Sequence, residues 1–151
     1  MKSPKYDSSG KFVGSLTDIL ISAQSAYDTG DHVRADEILR QVLEAHPKVN
    51  AAWKLRGIIA LKQGHLTESS TYFRQSLALA PDDAGTLFYL ANGCLRDLDY
   101  AQAIQLFERS ITSEPDIPEV YNNLSTALRL DGRPSDAMVA AQRALQLNHS
   151  Y

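Results

Sequence analysis

The chain has 151 residues, of which 44% are hydrophobic and 22% charged, a composition typical of one soluble globular domain. Its formal net charge of −3 gives no electrostatic basis for binding nucleic acid or an anionic membrane. A single cysteine, Cys94, excludes an intrachain disulfide and a zinc site built on cysteines. Because the N-terminus lacks a secretory apolar segment and no run approaches about 18 apolar residues, we expect a cytoplasmic protein.

The first ordered element is expected to begin at Ser15. Residues 1–14 are rich in lysine, serine and glycine, which predicts a flexible arm. Ser15 and Asp18 have the spacing of a capping box at a helix start. This helix should end at Gly30, and Asp31 should cap a second helix that stops before Pro47.

The same plan then recurs along the chain. Pro47, Pro81 and Pro115 are separated from one another by two equal intervals of 34 residues. A fixed period of about 34 residues is that of a helix–turn–helix unit that stacks into a solenoid. We therefore predict four units in residues 15–151, near 16–49, 50–83, 84–117 and 118–151. The predicted turns lie at Gly64, Asp97–Asp99 and Gly132, and the predicted caps are Asn50, Asp82 or Asp83, and Asp116.

The second unit resembles the tetratricopeptide repeat, whose pattern is W-x₂-L-G-x₂-Y, A-x₃-F and P. The matching residues are Trp53, Arg56, Gly57, Ala60, Ser69, Phe73 and Pro81, of which Arg56, Ala60 and Ser69 depart in identity. The other three units match in the same register. The resemblance implies an all-α fold, a right-handed superhelical solenoid of four helix–turn–helix repeats.

Small residues recur where the two helices of each unit should meet. Gly57 and Ser69 hold these places in the second unit, and alanine or serine holds them in the others. Such residues let two backbones approach closely, so a larger side chain at Gly57 should overpack the contact.

The resemblance also implies a concave groove lined by the first helix of each unit. Groove-facing positions carried over from the family give Ile21, Gln24, Lys54, Leu55, Ile58, Phe88, Tyr89, Asn92, Arg96, Asn122, Asn123 and Arg129. Apolar residues dominate the early part of this set, and amides and cations the later part. Apolar side chains in a groove favour a binding site, and an asparagine amide can both donate to and accept from a peptide backbone.

No catalytic, metal or cofactor motif is present, and Cys94 is expected to be a buried, inert thiol on an inward-facing stripe. We therefore predict a non-catalytic scaffold that binds a peptide or helix of a protein partner in the groove. One alternative is a repeat module of a larger enzyme, such as a transferase, that positions substrate or drives oligomerisation. Another is a homo-oligomeric assembly protein that associates through its small-residue last helix, which no further helix caps.

Overall fold

The computed structural model describes residues 14–148, which form eight α-helices and no strand. The helices are α1 (Leu16–Asp28), α2 (His32–Ala45), α3 (Asn50–Lys62), α4 (Leu66–Leu79), α5 (Ala84–Arg96), α6 (Tyr100–Ser113), α7 (Pro118–Leu130) and α8 (Pro134–Asn148). The predicted all-α class and the four helix pairs are confirmed. Most of the proposed N-terminal arm, residues 1–13, lies outside the described residues, as do residues 149–151.

The helices fall into two compact units, with α1 to α4 in unit 1 and α5 to α8 in unit 2. In each unit the two helices of a pair pack on one another, and the first helix of the second pair packs on the first pair. The unit 1 core includes Leu39, Val42 and Ile59. The unit 2 core includes Phe107 and Val120. Each core is thus built from the buried apolar faces of its helices, although α8 leaves Leu145 57% exposed.

Side chains cap the N-termini of several helices by hydrogen bonding to backbone N–H groups. Ser15 and Asp18 form the predicted reciprocal capping box at α1. Asp31, Asp83 and Asp99 accept from backbone N–H groups in the first turns of α2, α5 and α6. Aspartate is favoured there because its carboxylate satisfies an N–H group that has no partner inside the helix.

The predicted caps Asn50 and Asp116 were wrong. The residues at the N-cap positions of α3 and α7 are Val49 and Ile117, and neither makes a side-chain capping bond. Asn50 is the first residue of α3, and its side-chain oxygen accepts a hydrogen bond from the Ser76 hydroxyl on α4. This asparagine therefore ties two helices together instead of capping one.

Each helix pair is joined by a turn of the same geometry, over residues 29–31, 63–65, 97–99 and 131–133. In all four, a backbone N–H bonds to the carbonyl five residues earlier at 2.9 Å, as in a Schellman motif. The residue before that N–H has positive φ in every turn. It is glycine in three turns and Leu98 in the α5–α6 turn, with φ 63°.

Gly57 lies at the contact between α3 and α4. A Cβ atom added to it would lie 2.5 Å from Cε1 of Phe73, too close for real atoms. The Ser69 hydroxyl on α4 also donates to the Gly57 carbonyl at 2.9 Å. The prediction that small residues at Gly57 and Ser69 permit close helix contact is confirmed.

Candidate partner-binding surface

In unit 1, the predicted surface is carried by α1 and α3. Ile21 is 58% exposed. Gln24 is also exposed, and its amide donates to Asp28 Oδ1 at 2.8 Å. Lys54 and Ile58 of α3 are half-buried. These side chains offer one exposed apolar residue, Ile21, beside a glutamine that already has a partner within α1.

Leu55 occupies a different environment from the one that its predicted role suggests. It is 9% exposed and belongs to the unit 1 core. A partner could reach only a small part of this side chain, so its main contribution is to the stability of unit 1.

In unit 2, α5 and α7 are joined by an amide pair. The Asn123 Nδ2 atom donates to Asn92 Oδ1 at 2.7 Å, and both side chains are half-buried. Asn122, next to this pair in sequence, is exposed. The structure therefore brings together two of the predicted asparagines, 31 residues apart in sequence.

Two aromatic residues on α5 have different surroundings. Phe88 packs against the unit 2 core, and its ring centroid lies 6.2 Å from that of Phe107. Tyr89 is half-buried and makes an edge contact with Phe88, with 5.8 Å between centroids. Of these two residues, Tyr89 is better placed to meet a partner because Phe88 is already part of the core packing.

The predicted cations Arg96 and Arg129 lie in the last turns of α5 and α7, and both are exposed. Arg96 Nε is 3.8 Å from Asp97 Oδ1. An exposed pair at this distance adds little stability. Both arginines thus place positive charge near helix C-termini, where it interacts favourably with the helix dipole.

A polar cluster in unit 1, which the sequence did not predict, joins three helices. Arg56 of α3 donates from Nε to Asp36 Oδ1 of α2 at 2.7 Å and from a terminal nitrogen to the Tyr72 hydroxyl of α4 at 3.0 Å. Its Cζ atom lies 4.3 Å from the centroid of the Tyr72 ring. One signal was available: a guanidinium at an inward-facing repeat position requires buried partners.

Cys94 differs from its prediction. The side chain is half-buried instead of fully buried, and its Sγ lies 3.0 Å from Gln102 Oε1.

Among residues 14–148, no three His, Cys, Asp or Glu side chains are grouped closely enough to hold a metal ion. No helix in this part of the chain is long and apolar enough to cross a membrane.

The sequence model of the tetratricopeptide repeat matches residues 22–84 and 90–149. The chain belongs to the tetratricopeptide repeat family. The proteins of this family typically act as scaffolds for protein–protein interaction.

Two curated relatives match most of the chain. It is 29% identical over 147 residues to the DnaJ homolog subfamily C member 7 homolog of Schizosaccharomyces pombe, which covers 87% of this chain and 31% of the relative. It is 30% identical over 129 residues to Protein FlbA of Caulobacter vibrioides, with 85% of this chain and 22% of the relative covered. The chain thus spans less than a third of the length of either relative.

Solved structures share the fold. A crystal structure of MamA is 17% identical with a TM-score of 0.80, covering 87% of this chain and 77% of the other. An O-GlcNAc transferase of Thermobaculum terrenum is 23% identical with a TM-score of 0.67, covering 74% of this chain and 22% of the transferase. Similarity at this level of identity shows the fold and does not extend the transferase's activity to this chain.

Proposed function

We propose that this protein is a non-catalytic cytoplasmic scaffold that binds an extended peptide or a helix of a protein partner on the surface of its first helices. The observation that carries the proposal is the Asn92–Asn123 amide pair of unit 2. This pair places hydrogen-bonding groups at a fixed point between α5 and α7. Proteins of the tetratricopeptide repeat family typically bind other proteins.

The amide pair suits recognition of a peptide backbone. One hydrogen bond uses one donor of Asn123 and one lone pair of Asn92, whereas each amide has two donors and two acceptor sites. A backbone carbonyl of the partner can accept from Asn92, and a backbone N–H can donate to Asn123. Because the pair holds both side chains in place, a partner would order fewer groups on binding.

Residues on either side of the pair extend the proposed site. Tyr89 is half-buried, and its ring can cover an apolar side chain of the partner. Asn122 is exposed and adds a further amide on α7. Arg96 and Arg129 favour an acidic group in the partner through their charge.

Affinity capture from native lysate with the double variant Asn92→Ala/Asn123→Ala tests this proposal. Quantitative mass spectrometry should show at least about a fivefold loss of the captured partner, because two hydrogen bonds contribute roughly 0.5–1.5 kcal/mol each. Gln105→Ala, an exposed amide on α6, is the matched control and should capture as the wild type does. Full capture by a folded double variant would rule out this surface.

A second candidate function is self-association through α8. Met138 and Leu145 of α8 are exposed, and the smaller Ala141 and Ala144 lie between them. On α6 the residue matching Met138 is Ile104, which is buried in the unit 2 core. This helix face is buried on α6 and exposed on α8, so on α8 it is suited to contact with a second copy of the chain.

Sedimentation velocity over a concentration series tests self-association. The wild type should show a sedimentation coefficient that rises with concentration, and Met138→Glu/Leu145→Glu should remain a 16.7 kDa monomer. A wild type that stays monomeric at millimolar concentration would exclude this candidate and leave the peptide-binding proposal intact.

A further inference from the structure

A pocket of about 450 Å³ opens between α7 and α8 in unit 2. Tyr121, Leu124 and Leu128 of α7 line it together with Val139 and Ala140 of α8. None of the twelve residues predicted to bind a partner contributes to this lining. The pocket is therefore a separate feature of unit 2.

In unit 1, the matching place lies in the second helix pair, α3 and α4, and a tyrosine side chain fills it. There the Tyr72 side chain of α4 has its ring centroid 6.0 Å from that of Trp53 and 4.3 Å from Arg56 Cζ. Two repeat lengths later, Trp53 corresponds to Tyr121 and Tyr72 corresponds to Ala140. The tyrosine ring of unit 1 thus has no counterpart in unit 2, although an aromatic neighbour remains.

Ala140 is the smallest residue at this repeat position. The other three pairs carry Ile38, Tyr72 and Leu106 there. Truncation from a ring to a methyl group removes the atoms that would lie against Tyr121, and the surrounding helices do not close the space. The volume is ample for a six-membered ring, because a cavity of about 150 Å³ already binds benzene.

We propose that this pocket receives an aromatic side chain from a partner polypeptide, in the place that Tyr72 fills within unit 1. Tyr121 provides a ring against which the incoming side chain packs, and Leu124 and Leu128 provide an apolar wall. Tyrosine suits the pocket best. Its ring would be buried against the apolar wall while its hydroxyl meets charged and amide side chains of α8 that also line the pocket, among them Arg143.

The experiment titrates the full chain with two aromatic probes and follows side-chain methyl resonances by NMR. The probes are p-cresol, which is the tyrosine side chain alone, and N-acetyl-tyrosinamide, which adds backbone groups. Both should shift Leu124, Leu128 and Val139 saturably in the millimolar range. The non-aromatic 4-methylcyclohexanol should bind about fivefold more weakly because it lacks the ring–ring contact.

Filling the pocket from within provides the matched control. Ala140→Tyr should abolish the saturable shifts and raise the Tm, because the new ring would occupy the place that Tyr72 holds in unit 1. Ala140→Met offers a smaller filling residue if the tyrosine variant does not fold. Shifts that persist in the filled variants would overturn the proposal, as would no saturable shift with either probe. Binding of p-cresol without N-acetyl-tyrosinamide would also overturn it, since a polypeptide side chain could not then enter.

Discussion

In unit 1, Arg56 of α3 lies between Asp36 of α2 and Tyr72 of α4, whereas in unit 2 the same repeat position is Leu124. The residues that match Asp36 and Tyr72 are Ile104 and Ala140, so the ion pair and the ring of unit 1 are replaced by apolar side chains. The Arg56 side chain is 12% exposed and that of Asp36 is 35% exposed. The Arg56 charge is thus largely removed from water, whereas the Asp36 carboxylate is only partly buried.

This difference shows that one repeat geometry accepts two kinds of packing. Burying an ion pair, even in part, costs desolvation, and such a pair is often no more stabilising than apolar residues of similar volume. Its hydrogen bonds are directional, however, and they fix α2, α3 and α4 relative to one another. The apolar set of unit 2 imposes no such directions, and it leaves the pocket beside Ala140.

The largest expected effect concerns the tight contact between Gly57 and Phe73 in unit 1. Gly57→Leu should destabilise the protein by about 3 kcal/mol, at the upper end of typical overpacking, because even a Cβ atom would lie 2.5 Å from Phe73. In unit 2 the residue one repeat later, Ala91, already carries a Cβ atom and is fully buried. Urea denaturation measures the change in the free energy of unfolding. An unchanged midpoint would mean that the contact between α3 and α4 is assigned incorrectly.

A substitution in unit 2 serves as the control for this contact. Ala91→Gly removes a methyl group from a buried helix position and should cost about 1 kcal/mol through helix propensity alone. If both variants lost equal stability, the tight fit would not be specific to unit 1.

The next largest effect tests the polar cluster directly. Arg56→Ala should cost about 2 kcal/mol, because it leaves the half-buried Asp36 carboxylate without its guanidinium partner. Arg56→Leu/Asp36→Ile imports the unit 2 residues and should lie within about 1 kcal/mol of the wild type. Thermal and urea melts of all three proteins measure this. A double variant as unstable as Arg56→Ala would show that the two units do not tolerate each other's packing.

Local and periodic features of the fold could be predicted from the sequence. The proline period located the four helix pairs, and glycine or aspartate located most turns and caps, because these signals act within a few residues. The same reasoning failed at Asn50, whose side chain bonds to Ser76, 26 residues later in the chain. A residue suited to capping was used for a long-range contact, which only the folded structure reveals.

The candidate surface was less predictable than the fold. Repeat register assigned Leu55 and Asn92 to the same kind of surface, but Leu55 lies in the core while Asn92 pairs with Asn123. Burial at such a position depends on which side chains the neighbouring helix presents, and register does not contain that information. The pocket beside Ala140 is a second example, since a small residue leaves a space only when its neighbours do not fill it.

A smaller effect distinguishes the helix starts of the two units. Ser15 caps α1 reciprocally with Asp18, whereas at the start of α5 the Asp83 side chain accepts from the Thr86 backbone N–H at 2.7 Å. The Ser15 hydroxyl donates to the Asp18 carboxylate at 2.7 Å, and this bond, helped by the Ser15 backbone N–H, lowers the pKa of Asp18. Ser15→Ala should raise that pKa toward its ordinary value and should destabilise α1 within the range of about 0.5–2 kcal/mol for lost caps.

The pH dependence of this cap follows from the direction of the shift. Because the folded state lowers the pKa of Asp18, its carboxylate stabilises the fold above the unfolded pKa of about 3.8. That contribution is lost as the pH falls through the lower folded value. An NMR titration of the Asp18 side chain should therefore move to higher pH in Ser15→Ala. An unmoved titration would mean that the Ser15 hydroxyl does not hold the carboxylate.

The smallest predicted effect is a gain in stability at the turn of unit 2 that lacks glycine. Leu98 is exposed and has φ 63°, a conformation that costs a non-glycine residue about 1–2 kcal/mol. Leu98→Gly removes that cost but adds unfolded-chain entropy of roughly 0.5–1 kcal/mol, so a net gain of up to about 1.5 kcal/mol is expected. Gly132→Leu is the mirror control at φ 80°, where no atom lies within 4 Å of an added Cβ atom and only the backbone opposes the substitution. It should lose a similar amount. If Leu98→Gly lowered the Tm instead, the leucine side chain would have to stabilise the turn by more than its backbone strain costs. The two turns of unit 2 would then differ in side-chain packing as well as in φ.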